Sequence, residues 1–165
     1  MGNSLIGISE TLLKEAIQII KENEDKLRRK GGTFNIFSIL DAERKEVSAH
    51  SAFIYELINP NGSHKQQDSY LKIFIYDVLK IYDFDFMAAS VYKEKFAGKY
   101  GRLDLLIESK NYKIAIEVKV DAEDGDRQIE RYCNYLHRTS SSMQQCRIYY
   151  LTLSGSEPSE KSYGN

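Results

Sequence analysis

Two prolines, two cysteines and no tryptophan occur in these 165 residues. So little proline leaves long stretches that can run as helix or strand without a forced break. The two cysteines, Cys133 and Cys146, have no metal-ligand spacing and cannot build a disulfide framework. Each sits in an apolar pattern and reads as a buried free thiol. No apolar run approaches the roughly 20 residues of a membrane span. Residues 1–8 carry neither the basic start nor the long apolar run of a secretory leader. The expectation is a soluble cytoplasmic chain with no membrane partner. An excess of one charge is missing too. With 23 Lys and Arg against 24 Asp and Glu, the net charge is −1, which argues against a general electrostatic grip on nucleic acid. A local grip stays open. Between Lys93 and Lys119 seven basic residues (Lys93, Lys95, Lys99, Arg102, Lys110, Lys113, Lys119) meet four acidic ones. That modest excess suits a solvated strand face as well as it suits a phosphate-binding patch.

What is present is ordinary for a globular protein. With 42% hydrophobic and 28% charged residues, one domain with a single sizeable core is expected. An apolar stripe through Leu12, Leu13, Ala16, Ile17, Ile20 and Leu27 predicts a helix over 9–29, with Ser9 as its N-cap. Residues 34–40 are either a helical turn or a packed connector. A second helix is expected over 44–59, stopped by Pro60 and Asn61-Gly62, and a third over 67–82. Residues 90–97 read as an edge strand. A helix at 126–137, a strand at 146–153 and a polar, loose tail at 154–165 complete the order. That order predicts a mixed α/β fold, α-β-β-β-α-β, with extra N-terminal helices. It divides into a helical extension (1–43), a core (44–153) and the tail (154–165).

The stretch 101–136 organises the rest. Its two strand segments alternate with period two. Leu103, Leu105 and Ile107 point one way; Arg102, Asp104, Leu106 and Glu108 point the other. Ile114, Ile116 and Val118 oppose Ala115, Glu117 and Lys119. Paired as a hairpin, the segments put Asp104 beside Glu117 and Lys119. Two carboxylates could hold Mg²⁺, with the Val118 carbonyl as a further ligand, while Lys119 orients the attacking water and offsets charge on a phosphate. An E-x-K triplet by itself carries little weight, since Glu24-Lys26 and Glu43-Lys45 are also such triplets. From pattern alone, a polar outer face of a half-buried hairpin remains an equal reading. Elsewhere, Glu46 and His50 are four apart on the second helix, with Ser51 beside them, and a solvent-facing ion pair would explain them as well.

Leu103-Asp104 with Glu117-Val118-Lys119 resembles the PD-(D/E)XK nuclease superfamily, the restriction-endonuclease-like fold. Gln128-Ile129-Glu130-Arg131-Tyr132 resembles the QxxxY helix motif of its exonuclease-like branches. Glu46 with His50-Ser51, then Leu57 to Pro60 and His64, resembles the ExxxHS pattern of a bacterial branch. The resemblance implies that Asp104 and Glu117 ligate Mg²⁺ (or Mn²⁺ as substitute), that Lys119 positions water, and that Glu46 is an outer metal or water ligand. It implies that Gln128 and Tyr132 contact the phosphate backbone or brace the site, with Arg102, His50, Ser51 and His64 in supporting roles. The implied activity is phosphodiester hydrolysis of nucleic acid, DNA first, with a homodimer as one assembly. A catalytically inactive nucleic-acid-binding or assembly module is the alternative. Relatives of this kind continue past residue 165, which makes 154–165 a candidate truncation point.

Overall fold

The computed structural model describes residues 2–29, 39 and 45–164, with side chains at 12–26, 39, 45 and 49–164. The chain divides into two compact units, Met1–Ala42 and Glu43–Asn165. In the first, α1 spans Gly2–Arg29. It starts well before Ser9, which therefore lies inside the helix and does not cap it. The expected turn or connector at 34–40 lies outside the described residues, apart from Ile39.

The second unit opens with α2, which begins as a π-helical segment, Glu46–Ser51, and continues as α-helix, Ala52–Ile58. The wider turn is set by the His50 N–H, which donates to the Lys45 carbonyl five residues back, at 3.2 Å. Asn59 leaves the helix in an extended conformation ahead of Pro60. Then α3 runs from Ser69–Ile73 into a second π-helical segment, Phe74–Val78.

Four strands form one sheet in the order β1-β2-β3-β4. They are β1 (Ser90–Phe96), β2 (Arg102–Glu108), β3 (Tyr112–Lys119) and β4 (Gln145–Thr152). The first three form an antiparallel meander, and β4 pairs parallel to β3. The parallel step requires a crossover, supplied by α4 (Gln128–Thr139). The mixed α/β architecture and its element order are those expected from the sequence.

Helices cover both faces of the sheet. On one, Leu105, Ile107, Ile114, Ile116 and Val118 pack with Ile58 of α2 and with Leu71 and Ile75 of α3. On the other, Leu106 and Ala115 pack with Tyr132 and Leu136 of α4. The half-buried hairpin reading fails here, because β3 is buried from Tyr112 through Val118. Even Lys113 is buried; it is neutralised by Glu108 at 2.7 Å and donates to the Thr139 carbonyl. Strict alternation also fails at Leu103, which joins the α4 side rather than Leu105 and Ile107. The pleat is interrupted beside it. Glu94 of the facing strand has φ +51°, and the Val118 N–H donates to the Asp104 carboxylate.

Composition reads 154–165 as a loose tail. The structure instead ties it down, through a short helix α5 (Glu160–Tyr163) packed on α4. Ser162 is 0% exposed and its hydroxyl accepts the Ile129 N–H, while the Lys161 carbonyl accepts the Arg127 N–H. These two bonds do what an N-cap side chain normally does for a helix start. Arg127, the residue before α4, is left-handed and makes no side-chain cap. Ser162→Ala should therefore destabilise the protein by about 1 kcal/mol, or about 2–4 °C in a thermal melt.

Candidate active site

The site forms where the β2–β3 ladder ends. Backbone pairing runs from Glu108 with Lys113 to Leu105 with Ile116. The next step of that register would set Asp104 opposite Glu117. There the strands part, and Asp104 Oδ2 accepts the Val118 N–H at 2.9 Å. The bond holds the aspartate against β3 one residue past Glu117.

Glu117 is 3% exposed. Its Oε1 accepts hydrogen bonds from Gln128 Nε2 at 2.6 Å and Lys119 Nζ at 2.9 Å. Its Oε2 is buried with no hydrogen-bond partner. An unpaired buried carboxylate oxygen is costly. Burial pushes the Glu117 carboxyl up to about 7, and the charge of Asp104 pushes the same way; Lys119 and Gln128 pull it back. Lys119 itself is only 13% exposed at the side chain.

Helix α4 supplies the third wall. Gln128 and Tyr132, one turn apart, face the sheet together. Gln128 Nε2 also donates to the Tyr132 hydroxyl, which donates to the Arg102 carbonyl at 2.7 Å. Burial, then the Glu117 charge, raise the Tyr132 phenol above its ordinary value, so it stays neutral. Gln128 Oε1 accepts the Gly125 N–H at 3.0 Å. Gln128 thus links Glu117 to the loop between β3 and α4, and Tyr132 links it to the start of β2.

The other expected residues lie around this centre. The Arg102 side chain is exposed and reaches Glu94 at 3.5 Å. The π-helical turn of α2 packs on β2 and β3. In it His50 is half-buried, and Ser51 is fully buried with no partner for its hydroxyl. The Glu46 side chain lies outside the described residues. His64 braces its own loop: Nε2 bonds the Asn59 carbonyl, and Nδ1 accepts the Gln66 N–H. Neither thiol forms a disulfide, and both are half-buried rather than buried.

Asp124 is a participant that sequence reasoning passed over. It accepts from the Tyr150 hydroxyl at 2.6 Å and the Ser159 N–H at 2.7 Å. Burial pushes its carboxyl up, but those bonds prevail and hold it below the usual range. It ties the β3–α4 loop to β4 and to the C-terminal segment. An Asp-Gly turn was the one local signal for it.

Among the described residues, no group of three or more His, Cys, Asp or Glu could hold a metal. Two carboxylates are present. That donor set fits a cation that keeps several waters and takes one or two carboxylates, as Mg²⁺ does. The orphaned Glu117 Oε2 and the mutual repulsion with Asp104 are the defects such a cation would relieve.

Among the described residues, no helix is long and apolar enough to cross a membrane. No curated protein and no solved structure matches the chain. A family model described as the PD-(D/E)XK nuclease superfamily matches residues 34–165. That span includes the strands, α4 and the Asp104, Glu117 and Lys119 positions, and the chain belongs to the PD-(D/E)XK nuclease superfamily.

Proposed function

We propose that the protein is a metal-dependent nuclease that hydrolyses phosphodiester bonds, with DNA the first substrate to test. One observation carries the reading. Glu117, beside Asp104, has one oxygen fixed by Lys119 and Gln128 and the other buried without a partner. Asp104, Glu117 and the Val118 carbonyl would hold Mg²⁺ or Mn²⁺, with Glu46 as an outer ligand. Bound there, the cation supplies Lewis acidity toward the phosphate and its attacking water. Lys119 sets a positive charge where negative charge develops on the phosphoryl oxygens. Gln128 fixes the Glu117 rotamer, and Tyr132 fixes Gln128. Since the Tyr132 hydroxyl is committed to the Arg102 carbonyl, Tyr132 braces the site rather than gripping the substrate.

Isothermal titration with Mg²⁺ or Mn²⁺ tests this. Glu117 must lose its proton to take the cation, so affinity should rise with pH up to about 7 and flatten above it, with proton release below. Without metal the sign for stability is opposite. A carboxyl raised from 4.5 to about 7 stabilises the folded state below pH 4.5, and that advantage is lost as pH rises through 7. The loss is on the order of 3 kcal/mol, and saturating metal should offset it. Binding that is absent, or that Asp104→Asn leaves unchanged, would favour the non-catalytic module.

A further inference from the structure

We propose that the groove beside the site, formed by Lys99, Tyr100, Arg127 and Arg131, takes a second backbone phosphate of the nucleic-acid strand being cut. The inference rests on the nuclease reading and adds a path for the strand away from the carboxylates. The groove has a volume of about 310 Å³ and lies between the turn Gly98–Tyr100 and the first half of α4.

Arg131 is its organising residue. Its Nε donates to the Tyr100 carbonyl at 3.3 Å, and Nη1 donates to the Asp126 carbonyl. Two neutral carbonyls orient the guanidinium without cancelling its charge. They belong to the two loops that flank the site, one leading into β2 and one leaving β3. The remaining nitrogen, Nη2, faces a glycine on each loop. A Cβ built at Gly125 would lie 3.6 Å from it, and one at Gly101, where φ is +106°, would lie 4.0 Å from it. Neither glycine places a side chain over Nη2, which leaves room on those two sides for backbone amides and a bulky anion. Gln128, Arg131 and Tyr132 stand at i, i+3 and i+4 on one helical face. Since Gln128 touches Glu117, the groove is one helical turn from the carboxylates.

The charges leave a modest surplus. Arg127 and Glu130 pair with each other through two bonds, one of them 2.7 Å, and so cancel. Lys99, whose Nζ lies 5.3 Å from the Tyr100 ring centre, and Arg131 then face Asp126 alone. A single surplus charge suits one phosphate and not a broad polyanion track. It also accounts for how a chain of net charge −1 could hold a nucleic acid locally.

The test is fluorescence anisotropy with labelled single-stranded and duplex DNA over a salt series, with EDTA present so that nothing is cut. Removing one phosphate contact should reduce the slope of log K against log salt by about 0.7 for single strands and 0.9 for duplex. Arg131→Ala and Lys99→Ala are each expected to show that reduction, together with about tenfold weaker binding. Asp126→Asn should tighten binding. Arg138→Ala, the same charge in the last turn of the same helix, should leave the slope as in the wild type. Lys99→Ala removes no backbone contact, and it decides the matter if Arg131→Ala melts early. Wild-type binding with unchanged slopes in both variants would overturn the groove and leave the nuclease reading standing. A wild-type protein that binds no DNA at low salt but cleaves it with Mg²⁺ would also overturn the groove. A protein that does neither would overturn the nuclease reading with it.

Discussion

Glu117→Gln is expected to lower cleavage by on the order of 10²–10³-fold or more, while the metal-free protein melts no lower than the wild type at neutral pH. The two halves have separate causes. Cleavage falls because a neutral amide cannot hold the cation against competing water, and because Lys119 loses the carboxylate that fixes its ammonium at 2.9 Å. Stability is kept because the amide has nearly the same shape and carries no charge. Its oxygen can still accept from Gln128, and its NH₂ takes the place of an oxygen that has no partner. The repulsion with Asp104 that raises the Glu117 carboxyl disappears as well. Single-turnover cleavage of labelled DNA, with a thermal melt of the same preparation, measures both. A large drop in melting temperature would mean that the ionised Glu117 is a structural element of the fold. Unchanged cleavage would move the chemistry elsewhere.

Ile116→Asp is expected to do the reverse and unfold the protein outright. Ile116 is 2% exposed, one residue before the catalytic candidate, in the cluster that joins the sheet to α2 and α3. An aspartate there would place an unpaired charge among Leu105, Ile114 and Val118 and would also remove the isoleucine packing. Each change alone destabilises by several kcal/mol, against a total of about 5–15 kcal/mol for a domain. Circular dichroism at room temperature should show a protein largely unfolded. A variant that folds and merely cuts poorly would mean this face of β3 is not core. The pair of neighbours thus separates chemistry from packing by a single residue of strand parity.

Much of this was legible in the chain. Alternation in 112–119 separates Ile116 from Glu117, and the four-residue spacing of Gln128 and Tyr132 puts both on one helical face. The resemblance to the family motif then singles out Asp104 and Glu117 as the candidate carboxylates. What alternation cannot show is what covers the second face. Ala115 and Leu106 are ambiguous as sequence, and only α4, brought over by the crossover to β4, makes Glu117 a buried residue. The π-helical openings of α2 and the end of α3 escape for a similar reason. A wider turn leaves no mark on the apolar spacing and is selected by packing. The C-terminal segment misled most. Ser162 looks like any polar tail residue, yet it serves as a helix cap delivered from more than thirty residues away. Contacts of that kind have no local signature.

Asp104 and Glu117 are proposed as a pair that shares a cation. A crystal of the protein soaked in Mn²⁺ and measured for anomalous scattering tests it most directly. A shared cation would give a peak within coordination distance of an Asp104 oxygen and of Glu117 Oε2, the oxygen that otherwise has no partner. A saturating soak above pH 7 with no peak there, and with Glu117 still bonded only to Lys119 and Gln128, would contradict it.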